Sequence, residues 1–386
     1  MTINEIRNNY ELVDLFCSLA EIPSPSLREE KVAEWIVDYC NKNGMFVERD
    51  SYGNVYINIP ATDTSKQPML LSAHMDVIGD DSPVVIYLDG DLIRAEGRTL
   101  GADDKAGVAN ALYFATQLSK SDAKHGGLEL FFTRDEESGM SGIHNADFKK
   151  LNSKYILVCD SDTLGQLEVS GASYTLATIK IKSEKGGHSG IDIGDKTRLN
   201  CAKLVAELVN DLPQGVFYEE DGFVITSCNI GGIKAGNPDV TNIINTDALV
   251  TYSIRSASRA KEAELKADME GVVQRFNDKY ATLASAELIF AEHLPPFEAS
   301  DDKLIPQVFQ KAGEKLGMDV KVSSFHAGAE THIYANETNK NGEKFLPYLI
   351  GLATVCNMHS KEENLDYKTL LKGQELLSEI FSIFNA

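Results

Sequence analysis

Apolar positions in this chain follow two periods. At helical spacing they recur over Glu5–Leu19, over Glu29–Asn41 and from Lys105 to Leu118. Ile22-Pro23-Ser24-Pro25-Ser26 interrupts the first pair, and Ser26 stands where a helix cap is expected. Between the helical stretches lie short, wholly apolar runs at Met69–Met75, Leu128–Thr133 and Tyr155–Cys159. Val47–Ile59 reads as a hairpin turning at Asp50–Asn54, and Ser141–Lys150 as a further helix. Short apolar strands alternating with helices predict an α/β fold. Its mostly parallel mixed sheet carries helices on both faces.

The period changes at Tyr174. Ile179 and Ile181 now alternate with Lys180 and Lys182, which is a half-exposed strand. A helix over Lys196–Asn210 follows, then strands at Phe223–Ile230 and Thr246–Arg255, a charged helix at Arg259–Tyr280 and a strand at Ala284–Ala291. That order, βαββαβ, is the ferredoxin-like α+β unit. It predicts a domain over residues 173–293 inserted into an α/β domain built from 1–172 and 294–386. After Pro295-Pro296 the α/β pattern resumes, with a helix at Lys303–Leu316, a strand near Val320, a strand at Phe345–Leu352 and a helix at Tyr367–Phe384.

Composition narrows the function. The 386 residues suit two domains, and 43% hydrophobic with 25% charged residues is globular. The net charge of -21 argues against nucleic acid and anionic membranes as partners. Six scattered cysteines, with no CxxC pair, predict reduced thiols and a cytoplasmic protein. The polar N-terminus does not read as a signal peptide, and no apolar run reaches membrane-span length.

The chemistry gathers at strand ends, where open α/β sheets bind ligands. His74 and Asp76 follow one apolar run, Glu136 and Glu137 another, Asp160 a third. Asp103 and Asp104 stand where a glycine turn feeds the Lys105 helix, and His359 closes the loop after the Phe345–Leu352 strand. An acidic N-cap accounts for one of the two adjacent aspartates but not both. Histidines and carboxylates without cysteine suit zinc, manganese or cobalt, and their number suits two ions sharing a carboxylate. Asp76, two residues beyond His74 on one strand face, is placed to accept the second ring N–H of His74. Of Glu136 and Glu137, one can bind metal while the other serves as general base. No GxxxxGK[ST] follows a strand, which excludes a P-loop nucleotide site.

The strings AHMD, LGADDKAG, DEESG, GGHSG and NMHS resemble, in that order, those of the co-catalytic zinc exopeptidases. That clan includes peptidase T, carboxypeptidase G and the aminoacylases. LGADDKAG and the chain length are most similar to peptidase T and its relatives. The resemblance implies two divalent ions bridged by Asp103, one completed by His74 and Asp160, the other by Glu137 and His359. It implies Glu136 as general base, a cis bond between Asp103 and Asp104, and His188 of the inserted lid reaching the scissile carbonyl. Asn242 and Arg255 would grip polar groups of short peptide substrates, and a homodimer through the lid is one arrangement it allows. Phe325–Ala335, FHAGAETHIYA, departs from the peptidase T pattern and is more similar to the aminoacyl-histidine dipeptidases. Glu330 there could accept a peptide's free amine, or could simply start a helix. His326 and His332 read as pocket lining or surface, and His125, His144 and His293 as solvated. The implied activity is a tripeptide aminopeptidase. An N-acyl amino acid amidohydrolase or carboxypeptidase would use the same core. A metal-dependent peptide-binding protein without turnover would be expected to lack Glu136.

Overall fold

The protein is described by a computed structural model that covers residues 2–386. Its contacts divide the chain into two compact units. Among the described residues one comprises 2–169, Ala299–Ser323 and Ala329–Ala386; the other comprises Ser170–Glu298 and Ser324–Gly328.

The first unit is built on an eight-stranded sheet. Its order is Phe46–Arg49, Val55–Ile59, Leu128–Thr133, Met69–His74, Tyr155–Val158, Leu346–Ile350, Gln166–Gly171 and Lys321–Phe325. The four central strands run parallel, and antiparallel pairs flank them. Met69–His74 and Leu128–Thr133 are buried at every residue, as strands covered on both faces must be. The helix Ala102–Ser119 packs on the Met69–His74 strand and against the helices Glu11–Ala20 and Tyr367–Phe384. It is buried nearly all round, so its apolar pattern extends beyond a single stripe.

The helix Arg259–Tyr280 and the helix Tyr367–Phe384 fall where the apolar spacing puts them. Other boundaries shift. The first helix is two, Ile3–Asn9 and Glu11–Ala20, because Tyr10 adopts an extended backbone between them. The next helix starts at Glu30 with no side-chain cap; the Ser26 hydroxyl donates instead to the Asp76 carboxylate at 2.8 Å. A small antiparallel sheet of Ile86–Asp89, Leu92–Ala95, Thr354–Cys356 and Asn364–Asp366 escapes the sequence pattern, since three- and four-residue strands leave no readable period.

The second unit has the βαββαβ order with three further strands, Gly215–Glu220 in the main sheet and the short pair Gly187–His188 and Ile243–Ile244. Its five-stranded antiparallel sheet runs Gly215–Glu220, Phe223–Ala235, Asp247–Ser256, Tyr174–Ser183, Ala284–Leu294. Ile179 and Ile181, facing Val250 and Ala248 in register, join residues of the helices Cys201–Asp211 and Arg259–Tyr280 in one core. Lys180 and Lys182 alternate to the opposite, exposed face. Every cysteine is free, and only Cys356 is exposed. Among the described residues no helix is long and apolar enough to cross a membrane.

Candidate metal centre

The first unit brings its strand-end residues to one place. His74 ends its strand with a ring that is 2% exposed. Its Nδ1 lies 2.9 Å from the main-chain carbonyl of Asp76, so Nδ1 carries the proton and the Nε2 lone pair points the other way. Nε2 lies 3.2 Å from Asp103 Oδ1 and 3.5 Å from Asp160 Oδ1. On the other side of Asp103, Oδ2 lies 3.1 Å from His359 Nε2, which is 3.0 Å from Glu137 Oε1. His74, Asp103 and Asp160 thus form one trio of ligand atoms, and Asp103, Glu137 and His359 a second. Within each trio the atoms lie within 4.8 Å of one another. One carboxylate shared between two imidazole-carboxylate trios is a donor set that fits two divalent ions of the zinc, manganese or cobalt class.

The Asp103–Asp104 peptide bond is cis. The two acids part company there. Gly101 enters the turn at φ +76, a left-handed backbone that glycine adopts freely. Asp104 turns into the helix and accepts the Gly107 amide at 3.0 Å, as a helix-starting acid should. A Cβ on Gly107 would stand 2.3 Å from that carboxylate, so only glycine fits. Asp103 is left facing the two histidines.

Asp76 does something the sequence did not indicate. The main-chain carbonyl, not the carboxylate at 3.4 Å, is the nearer acceptor for His74. The Asp76 carboxylate, besides lying beside the ring, accepts the amides of Glu136 at 2.9 Å and Glu137 at 3.2 Å. Glu29, wholly buried, accepts the amide of Asp135 at 3.1 Å and Arg134 Nε at 2.7 Å. Two carboxylates therefore hold three consecutive amides of the glutamate loop. Glu29 was hidden from sequence reading because it lies about a hundred positions upstream, at the start of an ordinary amphipathic helix. Glu363 was missed for the same reason. It is 1% exposed, and it accepts the amides of Gly101, Ala102 and Asp103.

Crowded acids hold protons. Burial, then the charges of Asp160, Glu330 and Glu137, raises the Glu136 carboxyl well above its ordinary value despite His74. Burial pushes Glu137 up to about 7 and Asp160 up to about 6. Burial also acts on Asp103, but the His359 and His74 imidazoles outweigh it and hold that carboxyl low. The hydrogen bond to Asp103, against burial, takes His359 up to about 9.

Glu330 is 1% exposed and precedes the short helix Thr331–Tyr334 without capping it. Both its carboxylate oxygens lack a hydrogen-bond partner among the described residues. Burial pushes it up to about 8, and Thr133 and His74 ease it only in part. It faces the protein interior, not solvent. His332 is likewise buried, its Nδ1 2.9 Å from the Ala329 carbonyl. His125, expected to be solvated, is 2% exposed, with Nδ1 accepting the Gly127 amide and its ring beside Phe381. His144 and His293 are exposed.

The other sequence-derived candidates lie in the second unit. His188 is exposed on the short strand Gly187–His188, paired with Ile243–Ile244. Its Nδ1 accepts the amides of Gly190 at 3.1 Å and Ile191 at 3.3 Å. That leaves Nε2 as the protonated nitrogen of the neutral ring. Asn242 is exposed beside it, its carbonyl accepting the Ser189 amide at 2.9 Å. The Arg255 guanidinium stacks 4.8 Å from the Tyr174 ring centre and pairs with no carboxylate among the described residues. His326 Nε2 lies 2.7 Å from the Ser227 hydroxyl.

These features define a metallopeptidase core, and comparison with known proteins agrees. Residues 70–382 match the model of peptidase family M20/M25/M40, and the chain belongs to that family. It is 32% identical to the cytosol non-specific dipeptidase of Escherichia coli over 212 residues, 47% of this chain and 43% of that enzyme. The match therefore spans less than half of that relative. It is 26% identical to peptidase T of Geobacillus thermodenitrificans across 89% of this chain and 77% of that one. Among solved structures, aminopeptidase PepT of Bacillus cereus superposes with a TM-score of 0.84 at 22% identity, covering 97% of this chain and 98% of the other. The fold is that of the family, and the protein is a metal-dependent peptidase.

The protonation pattern carries a stability prediction. Asp160, Glu137 and His359 all have folded values above their ordinary ones. At these groups the folded chain binds more protons than the unfolded chain. Their stabilising contribution is complete below about pH 4 for the acids and about 6.5 for histidine. It fades as pH rises through the folded values of about 6, 7 and 9. Protein stripped of divalent ions should therefore lose melting temperature from about pH 5 to pH 9. Protein with added zinc should lose much less, because the cations replace the protons. Calorimetric melting at several pH values, with and without chelator, checks this. Parallel slopes in the two series would refute it.

Proposed function

We propose that this protein is a tripeptide aminopeptidase acting on short, unblocked peptides through two divalent ions. The observation that carries the reading is the pair of trios sharing Asp103, with Glu136 on the same loop as Glu137. His74, Asp103 and Asp160 would hold one ion, and Asp103, Glu137 and His359 the other. Such ions, when bound, would supply Lewis acidity, acidifying water and polarising the scissile carbonyl.

The remaining work belongs to the chain. Glu136 is the general base: it takes a proton at its carboxylate as attack begins and returns it to the leaving amine. Its crowded, buried setting raises its basicity and suits that exchange. His188 offers a neutral Nε2–H to a developing oxyanion. Asn242 and the unpaired Arg255 bind polar groups of the peptide. The unit carrying them serves as a lid that excludes water.

The test is a panel of di- and tripeptides, free and N-acetylated, assayed with zinc, manganese or cobalt. Cleavage from the free N-terminus, abolished by acetylation, is the expected result. A second reading, an N-acyl amino acid amidohydrolase, draws support from one fact. Glu330, the carboxylate that could pair with an ammonium group, is 1% exposed. Equal or faster cleavage of the acetylated peptides would select that reading.

A further inference from the structure

The buried carboxylate of Glu363 takes no part in the chemistry above, yet four donors converge on it. Oε2 accepts the Thr99 hydroxyl and the Gly101 amide, the latter at 2.8 Å. Oε1 accepts the amides of Ala102 at 2.8 Å and Asp103 at 3.2 Å. These amides belong to the turn ahead of the regular part of the helix Ala102–Ser119, whose backbone is non-helical at Asp103 and Asp104, and buried amides in such a turn need an acceptor. A hydrogen bond to a charged group is stronger than one between neutral groups.

Glu363 is also the root of another loop. It stands four residues after His359 and one before the strand Asn364–Asp366, which is anchored by pairing to Leu92–Ala95. The Glu363 amide donates to the Ser360 carbonyl at 3.2 Å, closing the turn 360–363 that immediately follows His359. His359 itself sits at φ +61, a backbone that depends on its surroundings. One side chain thus joins the turn bearing Asp103 to the loop bearing His359, two ligand candidates that are 256 positions apart.

We propose that Glu363 is a positioning residue that sets Asp103 and His359 at the spacing a divalent ion requires. The proposal rests on the metal reading of those two residues. A carboxylate is the side chain suited to the task, because it offers acceptors alone to four donors. Glutamine at 363 would turn an NH₂ group toward one pair of them. Partners of this kind, one step behind the ligands, typically account for about 10–100-fold in metal affinity.

The test is calorimetric titration of the metal-free protein with zinc. Wild type should bind two ions, and His359→Ala should identify which of them depends on His359. Glu363→Gln should weaken that ion by about 10–100-fold, with kcat recovering at saturating zinc. Glu363→Asp, which keeps the charge, should stay closer to wild type than Glu363→Gln does. A structural role alone would lower the melting temperature without separating the two ions or responding to zinc. Wild-type affinity for both ions in Glu363→Gln overturns the proposal. If that variant fails to fold, Thr99→Val removes a single donor and should weaken the same ion less; unchanged affinity there overturns the proposal equally. Failure of wild type to bind any divalent ion would instead remove the metal reading, and this inference with it.

Discussion

Glu136→Gln should retain both ions and lose about 10²–10⁴ in turnover, the usual contribution of a positioned general base. Glutamine keeps the shape of the side chain and cannot take a proton. The backbone of residue 136 stays fixed, since its amide is held by Asp76 and not by its own side chain. Replacing one acid of a crowded, buried acidic cluster by a neutral isostere should also leave the metal-free fold as stable as before, or more so. Metal analysis separates the two glutamates. Glu137→Gln should lose an ion, because its Oε1 stands 3.0 Å from His359 Nε2. If Glu136→Gln loses both ions while Glu137→Gln keeps them, the two roles are reversed.

His188→Ala should lower kcat by about 10²–10³, the loss expected on removing one oxyanion donor. Metal content and melting temperature should stay at wild-type values, because the ring is exposed and contributes little packing. The geometry favours a donor. With Nδ1 engaged by two amides, the ring is held in the one neutral tautomer that presents Nε2–H outward. A solvated loop histidine without function would make the substitution silent, so a kcat within a few-fold of wild type rejects the role. Mixing His188→Ala with Glu136→Gln chains tests a homodimer at the same time. Regained activity means that His188 serves a partner's site, and none means that it acts within its own chain.

Much of this was legible in one dimension because the physics is local. The helices Arg259–Tyr280 and Tyr367–Phe384 could be delimited to the residue from periodicity and caps. His74, Glu137 and Asp160 stood out because parallel strands deliver their C-terminal ends to one edge, whatever the loops do, and Asp103 because a second acid follows it at a helix start. The cis bond at Asp103–Asp104 was legible only by resemblance, since nothing in two consecutive aspartates demands it. What failed locally failed for nameable reasons. Ser26 has the chemistry of a cap, but the nearby Asp76 carboxylate claimed its hydroxyl. His125 sits in a polar stretch and is nevertheless covered by Phe381.

The sequence by itself determined the long helices and the main strands, which of their faces are buried, and which residues could carry metal chemistry. Period and residue type decide those matters within a few turns of chain. Tertiary structure alone decided how the ligands are held. Asp76 grips the glutamate loop, Glu29 grips the residue before it, and Glu363 ties the Asp103 turn to the His359 loop. It also decided that Glu330 is enclosed beside the charges of Asp160 and Asp76, with only Thr133 and His74 to ease it. A buried carboxylate must find donors, and most of the donors to Asp76, Glu29 and Glu363 are backbone amides. Amides carry no sequence signature, so their pairing with a side chain up to 262 positions away appears only when the chain has folded.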